Sequence, residues 1–168
     1  MQTLHRLGQA RNASRVMKQL EDYVSTFLDG EMVYYLNAKG RERVNCTKVR
    51  KRNDRARHAV MRNYLYIAYG CPATWRNEMV LKVEDVVSVT CDAYFIRDNR
   101  YHIIEVDNTQ PMAENRKKIE KYRKLLDLNV FPKPPLFIWL TKTEYRKKQL
   151  QALCKELDSV IFTITDFE

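Results

Sequence analysis

Apolar and polar positions recur along this chain with two different periods. Over 12–23, Val16, Met17, Leu20 and Tyr23 share one face at helical spacing, and Asn12 or Ser14 is available as a cap. Arg11, Arg15 and Lys18 fall elsewhere on that helix and point outward. Two β-prone runs follow, Val24-Ser25-Thr26-Phe27-Leu28 and Met32-Val33-Tyr34-Tyr35-Leu36, with Asp29-Gly30 between them, a hairpin signal. Asn37-Ala38-Lys39-Gly40 closes the hairpin, and Arg41-Glu42-Arg43 comes next. Residues 46–56 then lose the apolar pattern and read as a basic linker with Lys48, Arg50, Lys51, Arg52 and Arg55.

From residue 57 the pattern becomes that of an α/β domain. Residues 58–69 form an amphipathic helix ended by Gly70 and Pro72. Strands are expected at 78–83, 86–97 and 101–108, with Asp98-Asn99 turning the second into the third. Pro111 opens a helix over 112–127 that buries Met112, Ile119, Tyr122 and Leu126. Leu136 to Leu140 is apolar throughout, the composition of a strand buried on both faces. Thr143 caps a helix over 143–157, and 160–164 is a last strand. A three-strand meander followed by helical crossovers implies a mixed sheet with helices on its faces. The domains expected are therefore 1–45, a linker at 46–56, and 57–168.

Charge sharpens this division. The chain carries 30 Lys and Arg against 21 Asp and Glu, a net of +9. Residues 1–62 hold 14 of those cations and 6 of the anions, a net of +8, leaving +1 for 63–168. A basic segment joined to a near-neutral domain suggests a polyanion partner. No apolar run approaches membrane-spanning length and no signal peptide is evident, so a cytoplasmic location without a membrane partner is expected. The four cysteines (Cys46, Cys71, Cys91, Cys154) are scattered with no CxxC pair, which argues against zinc and disulfides. His5, His58 and His102 are isolated and read as surface or packing residues, and the run Tyr64, Tyr66, Tyr69 as core or interface.

A helix followed by a hairpin with basic flanks is the order of a winged helix-turn-helix, with the helix in the major groove and the wing along the phosphates. Arg11, Arg15 and Lys18 would face the groove; Lys39, Arg41, Arg43, Lys51 and Arg52 would hold phosphates. A complete winged helix has two further helices before this one. The element is thus expected to be truncated at its N-terminus or completed by a partner, a homodimer being one arrangement.

Candidate chemistry lies in the second part. Glu78, Asp92, Glu105 and Asp107 stand on or beside three consecutive strands. In a meander Asp92 and Glu105 approach each other on one face. Two carboxylates meeting there repel unless a proton or a cation lies between them, and Mg²⁺ or Mn²⁺ would suit oxygen ligands and activate water for phosphodiester cleavage. Three readings stay open: structural acids paired with Lys118 or Arg116, a metal site that cleaves, and a vestigial metal site. The cations of the last helix, Arg146, Lys147 and Lys148, read as a solvated face.

The order and spacing over 57–168 resemble the PD-(D/E)XK nuclease superfamily, whose core is α-β-β-β-α-β with acids on its early elements. The resemblance implies a restriction-endonuclease-like sheet with Glu78, Asp92 and Glu105 at its acidic, metal-binding positions; Asp107 joins them as a candidate ligand from the spacing of the acids alone. That family places Lys two residues after the Glu of the third strand, where this chain has Asp107. Some members move the Lys to the following helix, where Lys117, Lys118 and Lys121 stand; Lys118 is the choice for the catalytic position. The whole chain also resembles the replication-relaxation family of plasmids, phages and integrative elements. The residues that carry this are Leu4-His5-Arg6-Leu7-Gly8, Arg11-Asn12-Ala13-Ser14-Arg15-Val16, Val33-Tyr34-Tyr35-Leu36, Gly40-Arg41-Glu42-Arg43-Val44, and Glu105-Val106-Asp107 with Lys118 and Tyr122. It implies a DNA-binding protein of a mobile element, acting in replication, maintenance or transfer, with a degenerate nuclease-like domain. Alternatives are an active metal-dependent endonuclease and an adaptor that docks a protein of the replication or segregation machinery.

Overall fold

The computed structural model describes residues 5–50, 52 and 55–167. Among them five α-helices and two sheets form, a mixed α+β architecture. The chain divides into two compact units, Met1–Val60 and Met61–Glu168.

In the first unit α1 (Ala10–Gln19) buries Ala13 and Met17 and leaves Arg11, Arg15 and Lys18 exposed. It starts earlier than the sequence suggests. Gln9 occupies the cap position, because the Asn12 amide reaches back to the Leu7 carbonyl at 2.9 Å and the Arg15 guanidinium bonds Asn12 at 3.0 Å. It also ends earlier: the Tyr23 N–H bonds the Leu20 carbonyl at 2.9 Å and turns the chain into β1 (Val24–Asp29). β1 pairs antiparallel with β2 (Glu31–Leu36), with Gly30 at the tip in the left-handed region, φ +73°.

The segment after the hairpin is helical, not the turn expected. α2 (Ala38–Arg43) begins because the Asn37 side chain accepts from the Gly40 N–H at 2.9 Å. The Asn37 amide also donates to the Asp22 carbonyl, and its backbone N–H to the Tyr23 carbonyl at 3.0 Å. This draws α2 against the Tyr23 backbone. A Cβ on Gly40 would lie 2.0 Å from the Tyr23 oxygen.

The second unit is a five-stranded sheet in the order β3-β4-β5-β6-β7. β3 (Arg76–Val83), β4 (Val87–Arg97) and β5 (Arg100–Asp107) form the antiparallel meander. β6 (Leu136–Thr141) and β7 (Ser159–Thr163) add in parallel. α4 (Met112–Asp127) and α5 (Glu144–Leu153) cover one face through Ile119, Tyr122, Leu125 and Leu150. The other face packs on Met61 and Leu65 of α3 (Ala56–Ala68) and on Ile164 of a short 3-10 turn. β6 is buried almost throughout, as its unbroken apolar run requires.

One irregularity shapes the site. Along β4 every second residue is buried from Val87 to Phe95, which reads as a single face. The two halves nevertheless enter different cores. Val87, Val89 and Cys91 pack with α4 and α5, whereas Ala93 and Phe95 pack with α3. The strand turns over at Asp92. Its neighbour across β3 is Glu78, bracketed by the pairs Asn77↔Ala93 and Met79↔Cys91, and Glu78 has φ +58°. Pairing of β4 with β5 begins at Ala93↔Ile104 and runs to Arg97↔Arg100. Val87 to Cys91 pair with β3 but not, among the described residues, with β5.

Asp107, at the end of β5, ties the sheet to both covering helices. It is fully buried and accepts from Arg146 of α5 through Nε and Nη2, each at 2.6 Å, from Asn115 Nδ2 of α4 at 2.8 Å, and from Thr141 Oγ1 at 2.7 Å. Burial works to raise its pKa, but the bonds from Arg146, Asn115 and Thr141 outweigh burial and hold it below the ordinary aspartate value. Arg146 is therefore no member of a solvated face. It bonds the Gln110 carbonyl as well, at 2.7 Å.

Two outcomes are expected. Gly40→Ala forces backbone apart at Tyr23 and should destabilise the first unit by about 2 kcal/mol; loss of protease resistance confined to residues before 60 would report it, and wild-type resistance would refute it. Arg146→Met strands a buried carboxylate and should cost about 3 kcal/mol at pH 7. Because the folded pKa of Asp107 is depressed, that contribution exists above the ordinary aspartate value and disappears as pH falls through the depressed one. Urea melts from pH 2 to 7 measure this, and a variant deficit that persists unchanged in acid contradicts it.

Candidate functional site

The register places Glu78 opposite Asp92, between the pairs Asn77↔Ala93 and Met79↔Cys91, and Asp92 beside Glu105, one step past Ala93↔Ile104, where the pairing of β4 with β5 begins. The cross-strand approach of Asp92 and Glu105 expected from the meander is thus present. The three acids have different surroundings. Glu78 has a half-exposed side chain and lies 3.7 Å from the Arg62 guanidinium. Arg62, on α3, is itself buried and donates to the Asp92 carbonyl at 3.3 Å.

Asp92 does work the ladder would otherwise do. Where β4 leaves β5, its Oδ2 accepts from the Val106 N–H at 2.7 Å, satisfying a backbone donor left by the divergence. Glu105 is fully buried, between Lys118 Nζ at 2.5 Å and the Tyr122 hydroxyl, both contributed by α4. Burial, reinforced by Asp92, pushes the Glu105 carboxyl up to about 8, even though Lys118 and Tyr122 pull the other way. For Lys118 burial favours the neutral amine, but the Glu105 and Asp92 charges outweigh it and keep its pKa above the ordinary lysine value. Helical geometry explains the pair: Lys118 and Tyr122 are four residues apart, so both project from the same side of α4 onto Glu105.

Whether these acids fit a divalent cation can be judged from their oxygens. Mg²⁺ needs near-octahedral oxygen ligation and retains several waters. Glu105 has no exposed surface, and its oxygens face the Lys118 ammonium and the Tyr122 hydroxyl. Asp92 Oδ2 holds Val106 N–H. Asp107, expected as a further ligand, is committed to Arg146, Asn115 and Thr141 and belongs to a separate network. Among the described residues no group of three or more His, Cys, Asp or Glu side chains is placed to hold a metal ion. The residues as arranged do not fit the cation. Glu105, Asp107 and Asp92 Oδ2 accept from groups of the protein itself.

The expected DNA-binding residues fall into two groups. Arg11, Arg15 and Lys18 stand at i, i+4 and i+7 of α1 and line one open concavity with Gln9, Asn12 and Ser14. Arg43 and Arg52 are exposed, with Arg52 over the Phe27 ring at 5.6 Å. Lys39 pairs with Asp22 at 3.4 Å and lies over Tyr23. Arg41 is partly buried and turns back toward the Leu36 carbonyl at 3.5 Å. Lys51 lies outside the described residues. The sequence reading missed Arg62, Arg146 and Asn115. Arg146 had a signal in being the residue three after the Thr143 cap, in the first turn that faces the strand ends. Arg62, mid-helix among apolar residues, had none that separates it from an exposed cation. His102 behaves as a packing residue, its ring stacked on Phe95 at 4.4 Å.

The buried Glu105 carboxyl has a consequence for stability. A folded pKa above the unfolded one means that the folded state retains a proton the unfolded chain releases. Stability should decline as pH rises from about 4.5 to about 8 and then level off. Glu105→Gln is expected to remove that decline and to raise the melting temperature at pH 8 by a few degrees; a flat wild-type profile over this range would contradict the assignment. Comparison with known proteins adds the family. No curated protein matches the chain. No helix among the described residues is long and apolar enough to cross a membrane. The family model described as replication-relaxation matches residues 1–134, which takes in both units as far as the loop before β6, and the chain therefore belongs to the replication-relaxation family.

Proposed function

We propose that this protein binds DNA during the replication, maintenance or transfer of a mobile genetic element, using the exposed basic face of α1, and that the acids of its α/β unit serve the fold. Family membership suggests the role in mobile-element replication. The observation that carries the DNA reading is the alignment of Arg11, Arg15 and Lys18 along one open face of α1, with Met17 and Ala13 buried behind them. Three cations at i, i+4 and i+7 span roughly 10 Å along a helix axis, a spacing that suits a run of phosphates or a groove edge. Arg43 and Arg52 add exposed charge nearby in sequence. The helix and hairpin order supports a winged-helix mode, in which α1 takes the groove and the segment after β2 meets the backbone.

The PD-(D/E)XK-like order of the second unit supports descent from a nuclease framework. Engagement of Asp92 by Val106, of Glu105 by Lys118 and Tyr122, and of Asp107 by Arg146 favours a framework kept for its shape. A protein of the replication or segregation machinery, or a second copy of the chain, is a further partner consistent with such a framework.

Fluorescence anisotropy on duplex DNA at several salt concentrations tests the reading. Arg11→Ala with Arg15→Ala should weaken binding at least tenfold at low salt and lower the slope of log K against log salt by about 2. Unchanged affinity would remove α1 as the DNA-binding element. A plasmid-nicking assay with Mg²⁺ or Mn²⁺ is expected to give no product. Metal-dependent nicking that is lost in Asp92→Asn or Glu105→Gln would replace this reading with that of an endonuclease.

A further inference from the structure

The second unit is near neutral overall, but its charge is unevenly placed. α4 alone carries six Lys and Arg (Arg116, Lys117, Lys118, Lys121, Arg123, Lys124) against Glu114, Glu120 and Asp127. Lys117, Lys121 and Lys124 repeat the i, i+4, i+7 spacing of the α1 cations. Lys124 reaches the Val86 carbonyl at 3.4 Å, which locates this side of α4 over the start of β4.

A groove runs between α4 and the part of β4 that β5 does not pair. It is lined by Lys117, Lys118 and Lys121 on one side, Ser88 and Thr90 on the other, and Gln110 at one end. It exists because β4 turns over at Asp92: the upstream stretch diverges from β5 and leaves a strand edge facing the helix. The acids nearby do not cancel its charge. Glu105 is sealed beneath Lys118, and Asp92 bonds Val106. Glu114, the one acid lining the groove, pairs with Lys117 at 2.9 Å, but both side chains are more than half exposed. Such a pair is weak and exchanges readily for a phosphate.

We propose that this groove is a second nucleic-acid site, in which Lys117 and Lys121, beside the stretch of β4 at Ser88–Thr90 that β5 does not pair, hold the phosphodiester backbone of a DNA strand independently of sequence. The inference rests on the DNA-binding reading for its choice of polyanion, and it assigns the nuclease-like unit a holding role. The groove has no aromatic ring among its lining residues, so bases are not stacked there; the strand is held by charge. Lys117 and Lys121 are both exposed, so replacing them leaves the buried Glu105–Lys118–Tyr122 network intact.

Three forms of the full chain test this: wild type, Lys117→Ala with Lys121→Ala, and Arg11→Ala with Arg15→Ala. Each is titrated against single-stranded and duplex oligonucleotides over a range of salt, with circular dichroism melts as a folding control. The Lys117/Lys121 variant should melt like wild type and lower the salt slope by about 2 on at least one of the two DNA forms. Lys117→Arg with Lys121→Arg should restore it. An unchanged slope in the Lys117/Lys121 variant, with a reduced slope in the Arg11/Arg15 variant, overturns the groove and leaves the α1 reading standing. The opposite pattern overturns the α1 reading and supports the groove. Loss of binding to phosphatidylglycerol vesicles by the Lys117/Lys121 variant, with DNA slopes unchanged, also overturns it and reassigns the groove to a lipid surface.

Discussion

The hydrogen bond from the Val106 N–H to the Asp92 carboxylate is the contact on which the second unit's architecture turns. A strand that rotates its faces mid-course must break its ladder with a neighbour, and a buried N–H left behind costs on the order of 1–3 kcal/mol. Asp92 supplies the acceptor at that point. With the donor satisfied, the upstream half of β4 is free to send Val87, Val89 and Cys91 into the core beneath α4, while Ala93 and Phe95 enter the core beneath α3. Glu78 accommodates the same rotation on β3 with a left-handed backbone. Non-glycine residues rarely adopt that conformation, so the neighbouring strand shares the strain of the rotation.

Glu105 follows from this arrangement. It lies opposite Asp92, on the α4 side of the sheet and out of water, where a lone carboxylate would be very unfavourable. α4 answers with two groups one helical turn apart, an ammonium and a hydroxyl. Asp107, two residues further along β5, is met by a guanidinium, an amide and a hydroxyl from three different elements. One strand thus carries two buried acids with opposite electrostatic outcomes. Burial dominates at Glu105, and the donors dominate at Asp107. Both Glu105 and Asp107 thus have their carboxylates turned to partners within the fold.

Much of the fold was legible in the chain. The 3.6-residue period of α4, with Pro111 before it, located that helix over 112–127, as observed. The apolar run Leu136–Leu140 identified the strand observed at Leu136–Thr141, and Asp29-Gly30 and Asp98-Asn99 marked the two turns. These features depend on neighbours within a few residues, which is the range that propensity and periodicity report. α2 was misread because its six residues carry no period long enough to recognise, and its start depends on Asn37 meeting both Gly40 and the backbone at Asp22. The turnover of β4 was invisible because the alternation of buried positions continues through it unchanged.

The sequence by itself determined the types and order of the elements apart from α2, the concentration of positive charge before residue 62, and the approach of Asp92 and Glu105 in the meander. Each follows from local spacing or from a strand order that admits few alternatives. The tertiary structure alone decided what each acid is for. Whether a carboxylate holds a cation, a proton or a backbone N–H depends on which donors arrive from elements far away in the chain: Arg146 at Asp107, 39 residues on, and Arg62 beside Glu78 and Asp92, 30 residues before the latter. Electrostatic environment is set by burial and by groups within a few ångströms, and neither is a property of sequence neighbours.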